Sequence, residues 1–347
     1  MKQESVWEYP PGGIHLAPPV QYSSGMAETR AIEVVGDYPH NVIDFDRRFD
    51  SEEACTAYLV SLRWPQGFVC PACGGRRAWR RTRLAMLCAS CRHETSIIAG
   101  TLFEKTHKPL QVWFKAMWWV TSQKTGASAL GLQRILGLGS YETAWLWLHK
   151  LRPAMVRSGR DRLTGCVEVD ETYVGGPEEG VQGRETHEKS IVAIALEVHS
   201  PKGFGRVRMH RIGDCSEGNL MPFVQGAVEP GAIVKTDGWK GYSSSKLTKS
   251  GYTHHPKNIS ASGNPAHVVM PGVHRVAALL KRWLLGTHQG SVSAKHLDYY
   301  LDEFVFRFNR RTSTHRGQLF FRLMQQAVAI EPTTYADIVG RRDPTDR

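Results

Sequence analysis

The chain is short of acid. Its 347 residues hold 33 Asp and Glu against 44 Lys and Arg, for a net charge of +11 and a pI near 9.4. Between Asp237 and Asp298 there is no acidic residue at all. Such an excess calls for an anionic partner, nucleic acid first and an anionic membrane surface second. Long apolar runs are also missing, which excludes a membrane-spanning helix. Met1 to Tyr9 lacks the basic-then-apolar layout of a secretory signal, so a cytoplasmic protein is expected. There is no internal repeat and no low-complexity block. Cysteine is sparse, but four of the seven lie in two Cys-x-x-Cys pairs. That usage fits metal binding in a reducing compartment and argues against a disulfide scaffold.

Residues 1–45 are rich in proline and glycine with little periodicity and read as a poorly ordered leader. A helix starting at Ser51 and the cysteine pairs make up 46–104. Over 105–158 three apolar stripes recur at helical spacing. They are Trp113, Met117 and Val120; then Leu130, Ile135 and Leu136; then Tyr141, Ala144, Trp145 and Leu148. Thr125-Gly126 and the Leu136–Ser140 segment separate them, a layout that resembles a helix-turn-helix unit. A small bundle used for packing or dimerisation is the plainer alternative. From Cys166 the pattern changes to strands: three, then a helix over Glu217–Val228, then a fourth strand over Ala232–Thr236, then helices. A domain over 159–330 and a polar tail over 331–347 complete the division.

Cys70, Cys73, Cys88 and Cys91 place four thiolates within reach of one Zn²⁺, a closed shell that suits a structural ribbon better than a catalytic zinc. Two chance pairs of buried cysteines are the alternative. Six arginines and no acid lie between Gly74 and His93. Arg76, Arg77, Arg80, Arg81 and Arg83 are therefore candidates for phosphate contact, against the alternative of a solvated basic hairpin.

Two apolar, alternating segments run into an aspartate: Val167-Glu168-Val169-Asp170-Glu171-Thr172 and Ile233-Val234-Lys235-Thr236-Asp237-Gly238-Trp239. Either aspartate alone reads as a turn or cap residue. Together, at the ends of a first and a fourth strand, they suggest a divalent-metal site. In a ribonuclease H-like sheet those strands are neighbours, and oxygen ligands suit Mg²⁺ or Mn²⁺. Glu168 is in phase with Asp170 and reads as a supporting group or a surface glutamate. On the following helical segment His274 and Lys281 stand seven residues apart, on one face. His274 would sit by the metal and Lys281 on a phosphate; a helix-start residue and a generic basic residue are the plainer readings.

On these segments the chain resembles insertion-sequence transposases of the IS1595 type. The resemblance rests on Val169-Asp170-Glu171-Thr172-Tyr173-Val174-Gly175-Gly176, on Thr236-Asp237-Gly238-Trp239, on Lys281–His288 and on Tyr300–Arg311. It implies an α/β ribonuclease H-like catalytic domain, a mixed sheet flanked by helices, preceded by a zinc ribbon and a helix-turn-helix-like unit. It further implies metal-dependent cleavage and strand transfer on double-stranded DNA at terminal inverted repeats, by a homodimer or higher assembly in a bacterial-type cell, associated with the nucleoid. The family mostly carries glutamate where His274 stands. Imidazole there serves as metal ligand or general base, unless Asp302 or Glu303 folds back to replace it. The acid-free stretch and the arginines after it add Arg275, Arg282, Arg310 and Arg311 to the DNA-contact candidates. A DNA-binding regulator without catalysis, or a nuclease that cuts without joining, are the rival readings.

Overall fold

The computed structural model describes residues 36–340 apart from 177, 179–185, 187, 200, 202, 258–262, 264, 265 and 291. The expected leader up to 35 and the end of the tail from 341 lie outside the described residues. The chain divides into two compact units, one of Met1–Gln123, Ala129–Ala154 and Thr314–Arg347, the other of Lys124–Ser128 and Met155–Ser313. In chain order the elements of the first part are α1 (Val42–Arg48), α2 (Glu52–Arg63), β1 (Ala78–Thr82), β2 (Ala85–Cys88), β3 (Glu94–Ser96), α3 (Leu110–Ser122), α4 (Ala129–Leu136) and α5 (Tyr141–Leu151). Then follow β4 (Cys166–Val174), β5 (Ser190–Val198), β6 (Phe204–Ile212), α6 (Glu217–Ala227), β7 (Ile233–Thr236), α7 (Ser244–Lys249) and β8 (Thr253–Pro256). The long helix α8 (Pro271–His288), α9 (Leu297–Asn309), α10 (Arg316–Ala327) and α11 (Tyr335–Val339) close the chain.

In the first unit, β1, β2 and β3 form a small antiparallel sheet. The Ser51 hydroxyl accepts the Ala54 amide and starts α2 as its sequence suggested. Order begins earlier than expected: Asn41 caps α1, and Phe45 is buried with 1% exposure. The core is aromatic. The Phe320 ring lies 5.5 Å from Phe45, 5.7 Å from Phe49, 6.0 Å from Phe114 and 5.8 Å from Trp118, centroid to centroid. Phe320 sits on α10, which falls inside the 159–330 domain expected from the sequence. Its apolar face, Leu319, Phe320, Leu323 and Met324, finds its partners on α2 and α3 instead.

Three helices form where the stripes placed them. Trp113, Met117 and Val120 are buried as expected, and Trp113 stacks on Trp147 of α5 at 3.7 Å. The second stripe is a different one: α4 buries Ala129 and Leu132 and leaves Leu130 and Ile135 exposed. In the third, Ala144 and Leu148 are buried while Tyr141 is exposed.

The second unit is built on a five-stranded mixed sheet in the order β6-β5-β4-β7-β8. The pairs β4–β5 and β5–β6 are antiparallel, while β4–β7 and β7–β8 are parallel. Helices cover both faces. Val167, Val169, Ala193, Ala195 and Val234 meet Leu220, Met221 and Val224 of α6 on one side. Val192, Ile194, Leu196, Val207 and Met209 meet α8 and α9 on the other. Burial on both faces explains the unbroken apolar run of β5. The arrangement is that of a ribonuclease H-like sheet, and it sets β4 beside β7.

Candidate active site

The parallel register pairs Glu168 with Lys235. Two residues further on, Asp170 still lies inside β4, which continues to Val174, so it is not at a strand end as the sequence suggests. Asp170 is almost buried, at 7% exposure. Asp237 stands just past β7 in a tight turn. Its Oδ1 accepts the Trp239 amide at 2.9 Å, Gly238 adopts φ +80°, and the Trp239 indole donates to the Cys215 carbonyl at 2.8 Å. Only glycine takes that φ without strain. Behind the turn, the Thr236 hydroxyl lies 2.9 Å from His254 Nε2, and His254 Nδ1 lies 2.7 Å from the Ser244 hydroxyl. Burial holds the His254 pKa below its ordinary value.

A third carboxylate joins the two. One oxygen each from Asp170, Glu171 and Asp237 lie within 4.8 Å of one another. Oxygens on a single octahedral Mg²⁺ or Mn²⁺, about 2.1 Å from the ion, stand roughly 3.0–4.2 Å apart. Small side-chain adjustments therefore suffice, and the all-carboxylate donor set is the chemistry a hard divalent cation requires. Glu171 leaves β4 on the opposite face from Asp170 and accepts the Tyr242 hydroxyl at 2.9 Å. Burial first, then the neighbouring carboxylates, push the Tyr242 pKa well above 10. Period-two alternation points Glu171 away from Asp170 and hides it in the sequence. The only signal was the Asp-Glu pair itself.

His274 lies in the first turn of α8, with its Nε2 3.4 Å from Asp170 Oδ2. The structure thus brings His274 to Asp170, while the carboxylate cluster itself is Asp170, Glu171 and Asp237. Lys281 is exposed two turns further along α8, beside exposed Arg282, and Arg275 is exposed as well. Glu168 turns out to be neither a surface residue nor part of the carboxylate cluster. It is buried at 4% exposure, and its Oε2 accepts the Val273 amide at 2.9 Å. It meets the positive end of an 18-residue helix. A Cβ on Gly272 would stand 2.8 Å from that same oxygen, so glycine is needed for the close approach. Glu168 therefore ties the start of the His274 helix to the Asp170 strand. Glu168→Ala leaves the Val273 amide without this acceptor and is expected to cost about 1–3 kcal/mol. Glu168→Gln keeps an accepting oxygen and should retain most of the stability, and urea melts of the two variants check the order.

Glu303 does not join the cluster. It is fully buried on α9 and accepts from Arg307 Nε at 2.9 Å, Arg307 Nη2 at 2.8 Å and the Ala127 amide at 3.3 Å. Its charge is matched inside the unit. Among the described residues, Asp302 is not part of the cluster either. The arginine candidates differ among themselves. Arg76 and Arg77 are exposed. Arg80 donates to the Arg83 carbonyl at 2.9 Å, Arg81 pairs with Glu94 at 3.0 Å and Arg83 with Glu52 at 2.9 Å. Exposed pairs of this kind are worth only about 0–1 kcal/mol, so a phosphate can displace the acid. Arg310 lies over the Phe306 ring at 4.3 Å. Arg311 stacks on Phe308 and donates to the carbonyls of Phe308, Gly205 and Phe204, which makes it a packing residue.

The cysteine quartet in the first unit fits a structural Zn²⁺. Bonds of about 2.3 Å put tetrahedral sulfurs about 3.8 Å apart. The Cys70–Cys91 and Cys73–Cys88 sulfurs are each 3.6 Å apart, and all four lie within 4.8 Å of one another. The two knuckles are alike: the Gly74 amide donates to the Cys70 carbonyl at 2.9 Å, and the Arg92 amide to that of Cys88 at 3.1 Å. Amides of Cys91 and Ser90 directed at Cys88 lower its thiol pKa to about 6. A Cβ on Gly75 would lie 3.2 Å from the Cys88 sulfur and 3.3 Å from that of Cys73, so glycine leaves the cluster its space.

Residues 162–309 match the family described as the ISXO2-like transposase domain, and residues 50–94 match the transposase zinc-ribbon domain. A relative from Halobacterium salinarum, described as an uncharacterized protein in transposable element ISH50, is 26% identical over 283 residues. The match covers 75% of this chain and 92% of the relative. Among the described residues, no helix is long and apolar enough to cross a membrane.

Proposed function

We propose, from the premise that this chain carries an ISXO2-like transposase domain and a transposase zinc ribbon, that it cleaves and rejoins DNA at the terminal inverted repeats of an insertion sequence. The observation that carries the reading is the pair of aspartates, one on β4 and one just past its parallel neighbour β7, with the His274 imidazole against the first. Asp170 and Asp237 would hold Mg²⁺ or Mn²⁺. When bound, the ion supplies Lewis acidity that activates a water or 3′-hydroxyl and stabilises the leaving oxygen.

The chain's own residues do the rest. His274 Nε2 stands 3.4 Å from Asp170 Oδ2, where the imidazole can take the proton released by the attacking hydroxyl. Direct ligation of the ion is the second role open to the same nitrogen. Lys281, with Arg275 and Arg282 on the same helix, holds backbone phosphate near the cut. The zinc ribbon, through Arg76, Arg77 and their neighbours, and the three helices α3–α5 hold the element end. Two ends must be bridged, so the working species is a dimer or higher assembly on DNA.

Strand cleavage of end-sequence DNA, measured with Mg²⁺ and with Mn²⁺, tests this. Wild type should cut and join, and His274→Ala should lower the rate by about 10²-fold or more, the usual contribution of a general base. A flattened pH–rate profile in that variant identifies the proton acceptor, and weakened Mn²⁺ affinity identifies the ligand. No metal-dependent cleavage by wild type leaves a DNA-binding protein without catalysis. Cleavage without joining leaves a nuclease.

A further inference from the structure

The stretch after Asp237 offers no carboxylate on α8, and Glu303 is matched by Arg307 and the Ala127 amide. A third carboxylate is nevertheless present on β4, next to the first. We propose that Glu171 is the third carboxylate ligand of the divalent ion and that Tyr242 is the positioning residue that holds it there. The inference rests on the reading of Asp170 and Asp237 as metal ligands.

The geometry carries the inference in two ways. A Glu171 oxygen falls within 4.8 Å of oxygens of both Asp170 and Asp237, although strand alternation turns its Cβ to the other face. A solvated glutamate would swing away from two other carboxylates, since like charges at this range repel. Glu171 is instead clamped toward them by the Tyr242 hydroxyl, at 2.9 Å.

Tyr242 is itself built in. It is 2% exposed within the apolar layer under α6, and its amide donates to the Trp239 carbonyl at 2.9 Å. At Gly241 a Cβ would come 2.6 Å from the Cys215 carbonyl oxygen, so the chain there is pressed against the strand-to-helix connection. One turn, Thr236–Tyr242, therefore sets Asp237 directly and Glu171 through its tyrosine. Three carboxylates then converge on a single position, with the His274 imidazole against one of them. A divalent ion offsets most of the repulsion that the clamp maintains, and the chain has its third acidic ligand one residue from its first.

Mn²⁺ binding to the full-length, zinc-loaded protein tests the inference without reference to activity. Calorimetric titration, with loss of the free-Mn²⁺ paramagnetic resonance signal as a second readout, compares wild type with Asp170→Asn, Glu171→Gln and Tyr242→Phe. Glu171→Gln keeps an oxygen for the Tyr242 hydroxyl, so its melting without divalent ion should match wild type. Its Mn²⁺ affinity should fall about 10-fold or more, and that of Tyr242→Phe by about 10-fold, at the low end for a group that orients a ligand. If Glu171→Gln binds as wild type while Asp170→Asn does not, the inference is overturned and the two-aspartate site stands. If wild type and Asp170→Asn bind alike, the two-aspartate site falls, and the inference with it. Unchanged binding by Tyr242→Phe removes its positioning role.

Discussion

Asp170→Asn and Asp237→Asn should each reduce metal-dependent strand cleavage by about 10³-fold or more, with the fold intact. The asparagines are close in shape to the aspartates. At 237 the amide oxygen can still accept the Trp239 amide that closes the turn, so the loop should hold. What disappears is a full negative charge on the ion. Lewis-acid stabilisation of the transition state is worth several kcal/mol, and about 4 kcal/mol corresponds to a factor of about 10³. Because both aspartates act through one ion, the double variant should be little worse than either single one. Melting in the absence of divalent ion should be unchanged or slightly higher, since one of several mutually repelling charges is gone. Addition of Mn²⁺ should raise the melting temperature of wild type and not of the variants, because only the former has the site to bind it. Cleavage at the wild-type rate by either variant would falsify the assignment of that aspartate.

The aspartates are legible because each follows a cleanly alternating run and a Gly-Trp turn comes after the second, although only Asp237 stands past its strand, while β4 runs on from Asp170 to Val174. The distance from His274 to Lys281 was legible because helical spacing is regular. Other parts were not. Strand β8 reads Thr-His-His-Pro, without the apolar alternation that marks a strand, because an edge strand of four residues buries little. Yet it contributes His254, which buttresses the Asp237 turn. Helix α10 could be recognised as amphipathic, but a pattern says that a face is buried and not against what. Only the aromatic cluster around Phe320 assigns it to the first unit. On α4 Leu130 and Ile135 suggest the wrong face; the helix buries Ala129 and Leu132, because apolar residues spread around the helix do not single out one side. Glu168, in phase with Asp170, stays out of the cluster, and Glu171, out of phase, enters it, for one reason. Alternation fixes the direction of Cβ, whereas a glutamate carboxylate three bonds further out goes where a donor holds it. For Glu168 that donor is the Val273 amide, and for Glu171 the Tyr242 hydroxyl.

Removing zinc, or Cys88→Ser, should unfold the ribbon and abolish binding to the element end while leaving Mn²⁺ binding in the other unit intact. The ribbon's three strands have five, four and three residues. So small a sheet cannot stand by itself on apolar burial. It also carries six arginines between Gly74 and His93, which repel one another in a compact hairpin. Four thiolates on a divalent ion supply a local charge of about −2 that offsets part of this repulsion. Zinc ligation in small domains contributes about 10–16 kcal/mol of apparent folding free energy, far more than the few buried side chains of these strands can replace. Bound metal should accordingly fall from one zinc per chain to none in Cys88→Ser, and trypsin should cut rapidly among Arg76, Arg77, Arg80, Arg81 and Arg83. Full zinc content with unchanged trypsin resistance in Cys88→Ser would show that the ribbon folds without its fourth thiolate. The Mn²⁺ titration gives the internal control, because Asp170 and Asp237 belong to the unit with its own apolar layers on both faces of the sheet. Loss of end binding with metal binding preserved would locate DNA recognition in the zinc-dependent hairpin and separate it from the chemistry.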